Sequence, residues 1–167
     1  DRARRGISYS FQQPPRFKGM KVSDLLTIAA GKTLSHDEAC SYLTQVGLCA
    51  RDYLGRDVDT SLSGGEAQRL KLANEMGKKQ TDSVFVFDEP TIGLHPKDVE
   101  TLLKVFDTLI GNGATVIVIE HDLDVIRSAD YLIDMGPEGG EDGGRIVACG
   151  SQDDIRGCTE SVTGRFI

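Results

Sequence analysis

Val84-Phe85-Val86-Phe87-Asp88-Glu89 is the stretch that decides the fold. An unbroken apolar run that ends in two acids has the pattern of a strand buried on both faces of a parallel sheet. Reading onward, Pro96 suits the first turn of a helix. Val99, Leu102, Leu103, Phe106, Leu109 and Ile110 then recur at helical spacing until Gly111 and Gly113. Thr115-Val116-Ile117-Val118-Ile119 is a second run of the buried-strand type. Strand, helix, strand with apolar strands predicts an α/β fold built on adjacent parallel strands. A short helix over 123–127 follows, then strands over 131–135 and 145–148 on either side of a Gly-rich turn.

Reading backward, the pattern changes near residue 83. Leu62 to Met76 predicts a helix entered through Gly64-Gly65. Ser35-His36-Asp37-Glu38 is a capping box that opens another. Ala39, Tyr42, Leu43 and Val46 then recur at helical spacing, and Gly47 ends the run. Val22 to Ala30 predicts a shorter helix. Ile7 to Phe11 has β character and stops at Gln12-Gln13-Pro14-Pro15, whose paired prolines impose an extended loop. The expected organisation is a strand and loop over 1–19, a helical subdomain over 20–80, and an α/β core with a C-terminal hairpin over 81–167.

Length and composition fit one globular domain. The 167 residues are 39% hydrophobic and 27% charged. Nineteen basic against 26 acidic residues leave a net charge of −7, which argues against nucleic-acid binding through bulk charge. The first 32 residues are the exception, with seven Lys/Arg and two acids. No apolar run approaches the roughly 20 residues of a membrane span. The chain opens Asp1-Arg2-Ala3 with no signal peptide, and the missing initiator Met suggests a fragment or a processed product. Cys40, Cys49, Cys149 and Cys158 form no C-x-x-C pair, so no zinc is expected. Scattered cysteines of this kind suit a reducing compartment, and a cytoplasmic location is the expectation.

Three constellations carry chemistry. Asp88 and Glu89 stand at the carboxyl end of a strand, where α/β proteins bind ligands. Asp suits Mg²⁺, and Glu suits polarising a water for attack on phosphate. Taken alone, the same pattern also describes a buried strand with solvated acids. Leu62-Ser63-Gly64-Gly65-Glu66 places a hydroxyl and two glycines at a helix N-terminus, where backbone N–H groups and the helix dipole attract an anion. In Ile119-Glu120-His121-Asp122 the histidine follows the second strand, on the side of the acids.

Together these motifs resemble the ATP-binding cassette (ABC) ATPases. In that resemblance Leu62–Glu66 is the signature motif, Asp88-Glu89 ends Walker B, His121 is the switch histidine and Gln12 is the Q-loop glutamine. The resemblance implies a P-loop NTPase-like core with a helical signature subdomain, binding ATP and Mg²⁺ between two head-to-tail cassettes. Glu89 and His121 would be catalytic. Asp88 and Gln12 would hold the metal, and Ser63, Gly64, Gly65 and Glu66 would bind the nucleotide from across the interface.

Residues from about 61 to 167 resemble the UvrA excinuclease family more narrowly. Asp88-Glu89-Pro90-Thr91-Ile92-Gly93-Leu94-His95, Ile119-Glu120-His121-Asp122-Leu123-Asp124 and Ser161-Val162-Thr163-Gly164-Arg165-Phe166 carry that likeness. It implies DNA damage recognition in nucleotide excision repair, with a second cassette, DNA and a repair protein as partners and no membrane. Residues from about 1 to 60 look more like the iron–sulfur assembly ATPase (SufC) type, in Ser10–Pro15 and Phe17-Lys18-Gly19-Met20. About fifty residues separate Gln12 from Ser63, without the zinc module of UvrA proteins. The origins left open are a compact paralogue or a chimera. The alternatives in function are a soluble iron–sulfur assembly ATPase or an inactive truncated cassette.

No G-x-x-x-x-G-K-[ST] precedes Gln12, so the Walker A segment is missing and the chain by itself is expected to hydrolyse ATP poorly. Gly31-Lys32-Thr33 lies after Gln12 and follows a predicted helix rather than a strand, which disfavours it as a phosphate loop. Gly139–Gly144 lies between two strands and carries two acids, as a hairpin turn would.

Overall fold

The computed structural model describes residues 7–10, 19–59, 62–76, 81–136 and 144–167. It divides into two compact units, 1–120 and 121–167. Gln12 lies outside the described residues.

In the first unit, β1 (Ile7–Ser10), β2 (Val84–Asp88) and β3 (Thr115–Ile119) form a parallel sheet in that order. Ile7 pairs with Val84 and Val84 with Thr115, and the register runs to Ser10↔Phe87 and Asp88↔Ile119. The three strands therefore end along one edge. The expected adjacency of Val84–Phe87 and Thr115–Ile119 is what the sheet shows. Between β1 and β2 run α1 (Val22–Ala30), α2 (His36–Gln45), the short α3 (Ala50–Tyr53) and α4 (Gly64–Met76). Between β2 and β3 runs α5 (Pro96–Gly111).

Local chemistry explains the ends of these helices. Ser35 caps α2 by accepting from the Glu38 N–H at 3.2 Å, while Glu38 accepts from the Ser35 N–H at 2.8 Å. The helix stops at Gln45, and Gly47 takes the left-handed turn at φ 73°. His95 caps α5, with Pro96 behind it.

The core is continuous across these elements. Phe85 and Phe87 stack with centroids 6.4 Å apart, and Phe87 meets Phe106 at 5.1 Å. Leu26, Leu43, Leu70, Leu102 and Leu109 belong to the same core. Of the α5 residues named from periodicity, Val99, Leu102, Phe106 and Leu109 are buried, but Ile110 is exposed and Val105 takes a core place instead.

One expectation is corrected. β3 is not buried on both faces: Val116 and Val118 pack against the core, while Ile117 and Ile119 stand 49% and 54% exposed. β3 ends the row of described strands, and α5 covers only the Phe85/Phe87 side.

In the second unit, α6 (Leu123–Ser128) precedes an antiparallel hairpin of β4 (Leu132–Gly136) and β5 (Arg145–Gly150), then α7 (Gln152–Gly157) and a 3-10 turn at Thr163–Arg165. The antiparallel pairing agrees with the hairpin reading; residues 137–143 lie outside the described residues. The chain end is tied down within this unit. Asp134 accepts from the Ser161 hydroxyl at 2.5 Å and the Thr163 hydroxyl at 2.8 Å, and Arg156 donates to the Ile167 carbonyl at 2.9 Å.

Candidate functional site

The first part of the site is the head of α4. Ser63 is exposed and acts as its N-cap: the Ser63 Oγ accepts from the Glu66 N–H at 3.3 Å, and Glu66 Oε2 accepts from the Ser63 N–H at 2.7 Å. The last residue of α3 and the turn that follows it supply partners for the other oxygen. Tyr53 Oη donates to Glu66 Oε1, and Arg56 Nη1 lies 3.6 Å from it. Arg56 also stacks over the Tyr53 ring, 5.0 Å from its centre. The Tyr53 hydroxyl, then the Ser63 N–H, hold the Glu66 carboxyl below the usual range, and the same bond raises the Tyr53 phenol. The carboxylate thus faces its own chain while Ser63 stands at the surface with the helix N-terminus behind it.

The second part is the turn after β2. Asp88 is half-buried at the sheet edge. Glu89 adopts φ 45°, a left-handed conformation that costs free energy for a residue with a side chain. Its N–H donates to the Ile119 carbonyl at 2.9 Å, and its carbonyl accepts from the Ile92 N–H at 3.2 Å. Thr91 donates twice to Glu120 Oε1, from its N–H at 2.8 Å and its hydroxyl at 2.5 Å. Lys71, on α4, has its pKa lowered by burial, with Glu75 and Asp88 acting the other way.

These two parts meet within the first unit. A Cβ placed on Gly65 would stand 2.9 Å from the Gly93 carbonyl oxygen, so the head of α4 packs directly on the loop that follows Glu89. Arg69 on α4 pairs with Asp98 on α5, and Asp98 Oδ2 accepts from the His95 N–H at 3.4 Å. The helix α4 is thereby fastened to the start of α5.

His121 is exposed and is the first residue of the second unit, next in the chain after Glu120. Gly31-Lys32-Thr33 follows α1, and Lys32 Nζ is committed to Glu38 at 2.7 Å, so this segment has neither the strand nor the free cation of a phosphate loop. The sequence reading missed Tyr53, Arg56, Thr91 and Glu120. Thr91 and Glu120 sat inside quoted motifs, and pairing the ends of the two apolar runs would have brought them together. Nothing local in the sequence marks Tyr53 or Arg56.

A family model described as ABC transporter matches residues 1–92. The UvrABC system protein A of Rickettsia felis is 45% identical over 160 residues, covering 91% of this chain and 16% of that protein. That of Staphylococcus aureus is 45% identical over 159 residues, with 90% and 17% covered. The similarity therefore reaches well into the first sixty residues. Among solved structures, UvrA2 from Deinococcus radiodurans superposes with a TM-score of 0.71 at 40% identity, over 88% of this chain and 18% of that one. An ATP-binding subunit of an ABC transporter has a TM-score of 0.71 at 23% identity, over 92% of this chain and 62% of that chain, and shows a shared fold. The chain spans 16–17% of the length of the curated relatives it matches.

Proposed function

The chain belongs to the ABC transporter family of ATP-binding cassettes, and from that premise we propose that it is the signature-and-Walker B part of a UvrA-type ATPase. Its substrate is ATP, and it works at the interface with a second cassette in nucleotide excision repair. Glu89 polarises the attacking water, and His121 contacts the γ-phosphate. Ser63, Gly64 and Gly65 receive phosphate from the facing cassette, with Glu66 holding Ser63 in its capping position. DNA, a repair protein and a cytoplasmic setting belong to the same proposal. No helix of the described residues is long and apolar enough to cross a membrane.

Asp88 fits a hard cation: its carboxylate stands half-buried at the carboxyl edge of a parallel sheet, and oxygen donors suit Mg²⁺. Asp88, with Gln12, would hold the ion, which neutralises charge on the phosphate oxygens. Like-charged Asp88 and Glu89 would otherwise repel a polyanionic nucleotide.

The observation that carries the reading is the Glu89 turn. A residue held at φ 45° by a bond to the neighbouring strand has its backbone, and so the root of its side chain, fixed at the sheet edge, which supports a carboxylate set to work there. The test uses a protein in which this chain is joined to the phosphate-binding segment of a complete cassette. Glu89→Gln should abolish phosphate release while Mg-ATP still binds, because the base is lost and the phosphate contacts remain. Turnover that survives Glu89→Gln would refute the assignment.

A further inference from the structure

We propose that Glu120 and Thr91 form a clasp that positions Glu89, making both of them positioning residues for ATP hydrolysis. This rests on the reading of Glu89 as the base.

Glu89 sits in a conformation that an isolated chain would leave, so its neighbours must hold it. The turn from Glu89 to Ile92 is closed by the Ile92 N–H on the Glu89 carbonyl. Its two ends are then fastened to consecutive residues at the carboxyl end of β3. The Glu89 N–H takes the Ile119 carbonyl, and Thr91 takes the Glu120 side chain with both of its donors. Pro90, between the two anchors, is fully buried and has no N–H to contribute. A single carboxylate oxygen receives both Thr91 bonds, and bonds to an ionised acceptor are shorter and stronger than neutral ones. The strands supply the rest, because the Asp88↔Ile119 register sets Glu89 and Glu120 at matching positions one step past the sheet. Removing the clasp leaves the Glu89 N–H bond in place but frees the far side of the turn. The carboxylate then wanders from the water it must polarise, without loss of nucleotide affinity.

The experiment is steady-state ATP hydrolysis by the same complete cassette, with amide hydrogen exchange alongside. Thr91→Val and Glu120→Ala should lower kcat about ten- to a hundredfold, as misplacement of a catalytic group does, with KM for ATP within about twofold. Thr91→Ser keeps both donors and should stay within about threefold of the parent. Glu120→Gln keeps an acceptor oxygen without the charge and should fall between. Without nucleotide, the Thr91 amide should exchange at least about tenfold faster in Glu120→Ala. The clasp is overturned if that exchange is unchanged. It is also overturned if Thr91→Val and Glu120→Ala turn over like the parent while Glu89→Gln is dead, or if Thr91→Ser loses as much as Thr91→Val. If Glu89→Gln itself turns over, the reading of Glu89 fails first and the positioning role goes with it, whatever the exchange shows.

Discussion

Replacing Gly65 by alanine tests whether the head of α4 is seated on the loop after Glu89. The new methyl carbon would lie 2.9 Å from the Gly93 carbonyl oxygen and 3.7 Å from Leu94 Cδ2. A carbon and a carbonyl oxygen settle at about 3.3–3.6 Å, so the two segments must part by roughly half an ångström. The obstacle is backbone, and it cannot rotate away. The loop is held by the Leu94 N–H on the Thr91 carbonyl at 2.9 Å, and α4 is tied to α5 by the Arg69–Asp98 pair. Overpacking of this kind costs about 1–3 kcal/mol. Alanine recovers less than about 1 kcal/mol of helix propensity so near the N-terminus. The net loss is about 1–2 kcal/mol, which lowers the urea midpoint by about 0.5–1 M for an ordinary small-protein slope. Gly111→Ala is the control, because it lies in the last turn of α5 with nothing within 4 Å. It should be neutral or stabilising by up to about 1 kcal/mol. A Gly65→Ala midpoint at or above that of the parent, with Gly111→Ala behaving as expected, would refute the packing of α4 on Gly93.

Three other outcomes follow from the described contacts. Asp134→Ala strips the Ser161 hydroxyl, itself 1% exposed, of its acceptor and should destabilise the second unit by about 1–3 kcal/mol. Trypsin should then cut at Arg165 faster than in the parent, and an unchanged rate would count against the tail being pinned through Asp134. Phe87→Ala should cost about 3–5 kcal/mol through the cavity left between Phe85 and Phe106, read by denaturant unfolding; a loss under about 1 kcal/mol would mean the site collapses freely. The Lys32 ammonium, then the Ser35 N–H and hydroxyl, hold the Glu38 carboxyl at about 2, below its ordinary 4.5. A depressed folded value means the support Glu38 gives to α2 is complete above 4.5 and is lost as pH falls towards 2. Side-chain NMR titration should show that midpoint, and Lys32→Ala should raise it.

What the sequence determined by itself was whatever a few neighbouring residues decide. The Ser35–Glu38 and Ser63–Glu66 boxes start α2 and α4 because each closes within one helical turn. The periodicity of Val99 to Leu109 builds α5 because one helix face must find a core. The apolar runs at 84 and 115 become parallel neighbours because a helix between two such strands can pack back only on their sheet. The strings read as signature, Walker B acids and switch histidine stand out for the same reason, since each is a short stretch at the end of such an element. Only the tertiary structure decided which face of β3 is covered, since a run such as Thr115–Ile119 has the same pattern whether one or both of its faces are packed. It alone turned Glu66 towards Tyr53 and Arg56, and it alone brought Thr91 to Glu120 across 29 residues. Those partners are set by strand register and by the packing of α4 against α5. Both depend on the whole core closing at once, so no window of sequence contains them.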